Sequence, residues 1–233
     1  MTADGSITSV LLENAGILHA FLVDSSAHGL PPAWRDVRMA TQVHGADTCI
    51  AHATDAPGIA PDKADAIIAR QSGLRVGVRT ADCVPVLLAN SRAGAVAAVH
   101  AGWRGVVAGV IDAAWDAMGG ADIAAVGPHI QSCCFETSDD IAHQIANASC
   151  EGALVMRHAP DRSGADGETR TEKAMVDLGV AVRAQLQRRG LDTTRIEALG
   201  HCTKCDTRFP SYRRSGANAG RMISAIAAFP ARA

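Results

Sequence analysis

Residues 74–118 read LRVGVRTADCVPVLLANSRAGAVAAVHAGWRGVVAGVIDAAWDAM, and this stretch decides the fold class. Leu74–Val78, Val84–Ala89 and Ala95–Val99 are short apolar runs bounded by polar or glycine-bearing breaks, the signature of strands. Beyond them Val106, Val107, Val110, Ile111, Ala114, Trp115 and Met118 recur at three and four residues, which predicts a helix that Gly119 stops. Working outward, further strands are expected at Ile17–Val23, Ala64–Ala69, Ile123–Val126, Ala153–Met156 and Ile196–Leu199. A helix over Ser138–Ala148 opens on Ser-Asp-Asp, which suits an N-terminus and its dipole. Another over Lys173–Arg189 carries Met175, Leu178, Val182 and Leu186 on one stripe and ends before Gly190. No G-x-G-x-x-G follows a strand, and there is no Walker A motif. Strands and helices interleave without strict alternation, so the expected class is α/β (α+β) with mixed layers, not a doubly wound Rossmann sheet. Residues 53–63 and 158–171 read as loops. The chain is expected to form one domain, residues 1–233, with the second loop as a candidate divide between two closely packed subdomains.

Composition narrows the function. A chain of 233 residues buries about 70% of its surface and needs no staples. Its 22 basic and 24 acidic residues give a formal charge of -2, which argues against nucleic-acid binding through bulk charge. Three Trp, four Phe and one Tyr are too few for a stacking platform. No apolar run reaches the ~18 residues of a membrane span. The opening MTADGSITSV has no secretory pattern. A soluble cytoplasmic protein is expected, a monomer or homodimer acting on a small molecule, with neither nucleic acid nor membrane as partner. The seven cysteines, at 49, 83, 133, 134, 150, 202 and 205, are odd in number and irregular in spacing, unlike a disulfide framework. Each is therefore a buried hydrophobe, a metal ligand or a nucleophile.

Three segments share one design, an apolar strand leading to a metal-ligand type. They are Thr41-Gln42-Val43-His44-Gly45, Thr80-Ala81-Asp82-Cys83 and Val99-His100-Ala101-Gly102-Trp103-Arg104-Gly105. Two imidazoles and a thiolate suit one zinc ion and leave a fourth position for water, which such a metal activates as a nucleophile. The spacing alone equally allows scattered core Cys and His. The neighbouring glycines mark turns or close backbone approaches.

With these residues in view, TQVHG, ADCVPVLLA, AAVHAGWRG, GPHIQSCCFE and SYRRSGANAGRM fall in the order of the YfiH family, and the chain resembles it from about Thr41 onward. That family, once named for laccase or polyphenol oxidase activity, is described as zinc-dependent purine nucleoside phosphorylases with adenosine deaminase activity. The resemblance implies a four-layer αββα arrangement shared with the catalytic domain of cytotoxic necrotizing factor. It implies one zinc ion on His44, Cys83 and His100, and adenosine, inosine or methylthioadenosine as substrates. The N-terminal region departs from the family: Phe21–Ser26 stands where a T-R-x-G-G-x-S segment is usual, and its arginine is absent. The loss of that anion contact weighs against phosphorolysis more than against deamination.

Arginine forks suit phosphate, and Arg104, Arg213, Arg214 and Arg221 are the candidates, Arg104 first because it follows a ligand on a glycine-bounded turn. Asp82 beside Cys83 either orients a ligand and accepts a proton or makes a structural hydrogen bond. Gln42 is a substrate contact or a strand-pairing residue, and His129 reaches the cleft or caps a loop. Cys133 and Cys134 read as small buried residues. Cys202-x-x-Cys205 lacks a second C-x-x-C to complete a zinc site, and Asp206 and Pro210 predict a loop rather than a redox helix. Three other readings compete with the zinc enzyme. One is a metal-free cysteine hydrolase or amidase using Cys83 and His100, with peptidoglycan precursors as a substrate class. Another is a binding module without turnover. The last is a copper oxidase, ranked lowest because the chain has no H-x-H pairs.

Overall fold

The chain folds around two six-stranded mixed sheets and a smaller three-stranded one, seen in a computed structural model that describes residues 6–23, 30–150, 156–158 and 173–229. The first sheet runs β1 (Ser6–Ile7), β2 (His19–Leu22), β15 (Met222–Ala227), β7 (Arg75–Thr80), β3 (Arg38–Thr41), β5 (Gly58–Lys63). The second runs β14 (Ile196–Ala198), β10 (Ile123–Val126), β8 (Val84–Asn90), β9 (Ala95–Ala101), β6 (Ala66–Ala69), β4 (Thr48–Ala51). The third is β11 (Glu136–Ser138), β13 (Lys173–Val176), β12 (Met156–His158).

The expected central strands form, and their lack of polar alternation has a cause. On β8, Val84, Val86 and Leu88 face the helices, while Leu87 and Ala89 face the first sheet. On β9, Ala97, Val99 and Ala101 take the helix side, and Val96 and Ala98 the other. Both faces are buried, so both parities are apolar. Leu87 and Leu88 are fully buried, and truncating either to alanine costs about 2–5 kcal/mol. The helical layer consists of α2 (Trp103–Ala108), α3 (Val110–Met118), α4 (Asp139–Ser149) and α5 (Leu178–Arg188); a short α1 (Val10–Asn14) contacts β10 and β14. Trp34, on a 3-10 turn, and Val37 cover the outer face of the first sheet.

Several expectations need correction. The helix expected from Val106 onward is two helices, broken at Gly109, whose φ of 85° ends α2 and starts α3. The expected Lys173–Arg189 helix begins as β13; Asp177 then caps α5, accepting from Val180 N at 2.9 Å. The loop expected over 53–63 contains β5, an edge strand, where Pro61 removes no ladder bond that matters. The expected helix from Ser138 is present, with Ser138 as its N-cap position. Residues 153–155 of one expected strand, the 159–171 portion of the expected divide, and Asp24–Ser26 lie outside the described residues. Among the described residues no helix is long and apolar enough to cross a membrane.

Candidate metal centre and its cavity

The centre is organised by a residue that sequence reading placed inside an apolar strand. Asp65, just before β6, has no solvent exposure. Its Oδ1 accepts from His44 N at 2.9 Å, and its Oδ2 accepts from Gly45 N at 2.7 Å and Val43 N at 3.2 Å. The same Oδ1 lies 2.7 Å from His100 Nδ1. One carboxylate thus shapes the His44 turn, where φ is 63°, and fixes the His100 ring on β9. Burial works against this carboxylate, but the His100 hydrogen bond and the backbone amides prevail and hold its pKa below the usual range.

The third donor comes from the step between the sheets. The chain leaves β7 at Thr80 and enters β8 at Val84. Asp82 sits in the left-handed region with φ 86°. Its Oδ1 accepts from Thr203 Oγ1 and its Oδ2 from Arg213 N, both at 2.6 Å, so the carboxylate pins the turn rather than orienting a histidine. Because Pro85 faces His100 and Val84 faces Ala101 across the β8–β9 ladder, Cys83 arrives beside His100. The ligand-type atoms of His44, Cys83 and His100 lie within 4.8 Å of one another. The two rings meet edge-on at 4.7 Å.

Glycine makes the room. A Cβ on Gly102 would stand 3.1 Å from His44 Cδ2 and 3.2 Å from Cys83 Sγ, and one on Gly105 would stand 2.8 Å from Gly45 O. These are the close approaches that the glycines beside the ligand types predict. Burial opposes the Cys83 thiolate, yet hydrogen bonds and positive charge from His100 and His44 outweigh it and bring its pKa to about 6. Burial likewise opposes the His100 imidazolium, while Asp65 and the Cys83 thiolate raise its pKa to about 9. A soft thiolate, two imidazoles and a carboxylate behind one of them form a donor set that fits zinc.

The donors open into a cavity of about 500 Å³, within the range of small-molecule sites. Trp103, Ile130, Phe135, Leu178 and Tyr212 supply apolar wall. Arg79, Arg104, Arg213 and Arg221 supply positive charge. Arg104 lies over the Trp103 ring at 4.6 Å. Arg213 donates to Glu136 O at 3.1 Å, and Arg221 to Ala219 O at 2.7 Å. Arg79, absent from the sequence-based candidates, has a buried Nε without a hydrogen-bond partner.

Other candidates take structural positions. Gln42 lines the cavity, but its amide pairs reciprocally with the Arg79 backbone, both bonds 2.8 Å, as a strand neighbour would. His129 is buried outside the cavity lining, its Nδ1 donating to Gly127 O at 2.8 Å and its Nε2 against Gly179. Arg214 is also outside the lining and ties loop carbonyls, donating to Thr203 O at 2.8 Å and Lys204 O at 3.1 Å. Cys133 is exposed and Cys134 half-buried, not buried as expected.

Two mixed sheets back to back, with a His-Cys-His group where the chain passes between them, define a mixed α/β protein with a candidate metal pocket. The family model described as multi-copper polyphenol oxidoreductase laccase matches residues 24–228, and the chain belongs to this family, the YfiH family of the sequence resemblance. The chain is 38% identical over 170 residues to adenosine deaminase RL5 from an unknown prokaryotic organism, a match covering 70% of this chain and 61% of that protein. It is 37% identical over 194 residues to purine nucleoside phosphorylase SCO2081 of Streptomyces coelicolor, covering 80% and 72%. Its fold matches that of YfiH from Bacillus licheniformis with a TM-score of 0.79 at 19% identity, covering 97% of each chain.

Proposed function

We propose that this chain is a purine nucleoside enzyme of the adenosine deaminase and nucleoside phosphorylase type, with zinc held by His44, Cys83 and His100. The observation that carries this reading is the convergence of those three donors at the floor of a cationic, partly apolar cavity. The names of the similar proteins support the purine nucleoside class. Zinc there supplies a Lewis acid and an activated water, the nucleophile that deamination at purine C6 requires. Asp65 holds His100 by Nδ1 and leaves Nε2 for the metal. Trp103, Phe135 and Tyr212 offer aromatic faces to a purine. Arg79 and Arg104 hold phosphate or a sugar oxygen; Arg79 compensates for the arginine missing near Phe21. Deamination is the reading placed first, and phosphorolysis depends on those arginines.

The test is purified protein with adenosine, with and without phosphate, assayed for inosine, adenine and hypoxanthine. Inosine formation that Cys83→Ala abolishes together with bound zinc is the expected result. A second reading has an observation of its own: Cys83, His100 and Asp65 line up as thiol, base and orienting carboxylate. A metal-free protein alkylated at Cys83 and cleaving amides would favour that cysteine hydrolase.

A further inference from the structure

A second group of sulfurs converges outside the cavity. Cys133 and Cys134 lie in the loop before β11, and Cys202 and Cys205 in the loop after β14. Their four sulfurs all lie within 4.8 Å of one another. Cys134 Sγ is 3.3 Å and Cys133 Sγ 3.7 Å from Cys205 Sγ, and all four thiols are free. We propose that Cys133, Cys134, Cys202 and Cys205 form a structural zinc site, separate from the His44-Cys83-His100 centre.

Three features carry this. The first is size. Zinc–sulfur bonds of about 2.3 Å in a tetrahedron put sulfurs about 3.8 Å apart, close to the spacing seen. The second is that the backbone builds the arrangement. His129 bridges to Cys202 in a parallel ladder step, with His129 N donating to His201 O at 3.2 Å and Thr203 N to His129 O at 3.0 Å. The two loops are held side by side by main chain, and the amides of Gln131, Cys205 and Lys204 are directed at the Cys202 sulfur. Amides aimed at the first cysteine of a C-x-x-C turn favour a metal thiolate. The third is ligand count. Four thiolates fill a tetrahedron and leave no open position, so this ion serves structure and not turnover. Binding releases the thiol protons to solvent and changes no oxidation state.

The site has a place in the architecture. The first loop continues into Phe135, a cavity wall, and the second presents Thr203 to the Asp82 carboxylate that pins the Cys83 turn. A zinc ion there clips together chain segments about seventy residues apart and steadies one side of the cavity.

The experiment uses the full chain, purified after growth with zinc, in three forms: unaltered, Cys202→Ser/Cys205→Ser, and His44→Ala/Cys83→Ala. Metal analysis should show one equivalent lost from each double variant relative to the unaltered protein. The His44→Ala/Cys83→Ala form, loaded with cobalt, should show the intense visible and near-ultraviolet bands of a tetrahedral tetrathiolate. On the same form, thiol titration without unfolding should gain four fast-reacting thiols when a chelator is added. This readout stands even if the cysteine variant fails to fold. Equal thiol counts with and without chelator would overturn the proposal, as would a disulfide among the four cysteines. A Cys202→Ser/Cys205→Ser protein that folds with undiminished metal would also overturn it.

Discussion

Asp65→Asn tests the account of the centre without touching a proposed ligand. The native carboxylate accepts His44 N and His100 Nδ1 on one oxygen and Val43 N and Gly45 N on the other. An amide of the same shape keeps one acceptor atom and turns a donor toward the other pair. Whichever way it flips, two donors lose their partner on a side chain that has no solvent exposure. At about 1–3 kcal/mol for each unsatisfied group, the loss is about 2–6 kcal/mol. For a chain of this length each kcal/mol moves Tm by about 2–4 °C, so the metal-free variant should melt roughly 4–24 °C below the metal-free parent. When the amide nitrogen faces His100, that ring also loses the partner that fixes its orientation and tautomer, which should weaken zinc binding about 10–100-fold. Thermal melts with chelator and zinc competition against a chromophoric chelator read the two effects separately. A variant melting within about 1 °C of the parent, with unchanged zinc affinity, would refute the role given to Asp65.

Gly102→Ala should lower zinc occupancy more than Tm, because its Cβ presses on His44 and Cys83 at 3.1 and 3.2 Å; metal analysis beside a melt decides. Arg79→Ala should raise KM for phosphate about tenfold or more, with adenosine deamination less affected, if its buried Nε receives the anion. Gly127→Ala places a Cβ 2.2 Å from Phe21 Cε1 and should destabilise by about 1–3 kcal/mol or more, measured by urea unfolding. Burial pushes down the pKa of both His19 and His129, though hydrogen bonds to Ile17 O and Gly127 O partly offset it. Both are neutral when folded, and the unfolded chain takes up their protons below about pH 6.5. Stability should therefore fall as pH drops through that value, by up to about 1.4 kcal/mol per pH unit for each histidine. With chelator present, His19→Gln should remove about half of that slope, and an unchanged slope would contradict the assignment.

The fold was legible where burial is two-sided, because β8 is apolar from Val84 to Ala89 and β9 from Ala95 to Val99. It was misread where one period ran across a boundary. Met175, Leu178, Val182 and Leu186 keep helical spacing, although the first belongs to β13; Asp177, a capping type followed three residues on by Val180, was the available signal. Gly109 hid inside an apolar stripe that continues on both sides of it. At the site, the ligand types stood out because each follows an apolar run beside a turn. Asp65 did not, since Ala64, Ala66 and Ile67 make it look like a strand interruption. Arg79 did not either, because one arginine at a strand end carries no pattern. The four-cysteine group joins residues about seventy positions apart, brought together by the β10–β14 ladder and the His129–Cys202 bridge that continues it.

The step between the two large sheets has a consequence for how this chain tolerates change. Three residues, Ala81 to Cys83, carry the backbone from β7 to β8, and each of those strands is locked in register with two neighbours. A centre on a free-standing loop absorbs inserted residues as slack. Here one added residue would drag a ladder out of register or swing the sulfur away from its partners. Variation that reshapes substrate choice is thus expected among the surrounding arginine and aromatic segments, leaving this short link at a fixed length.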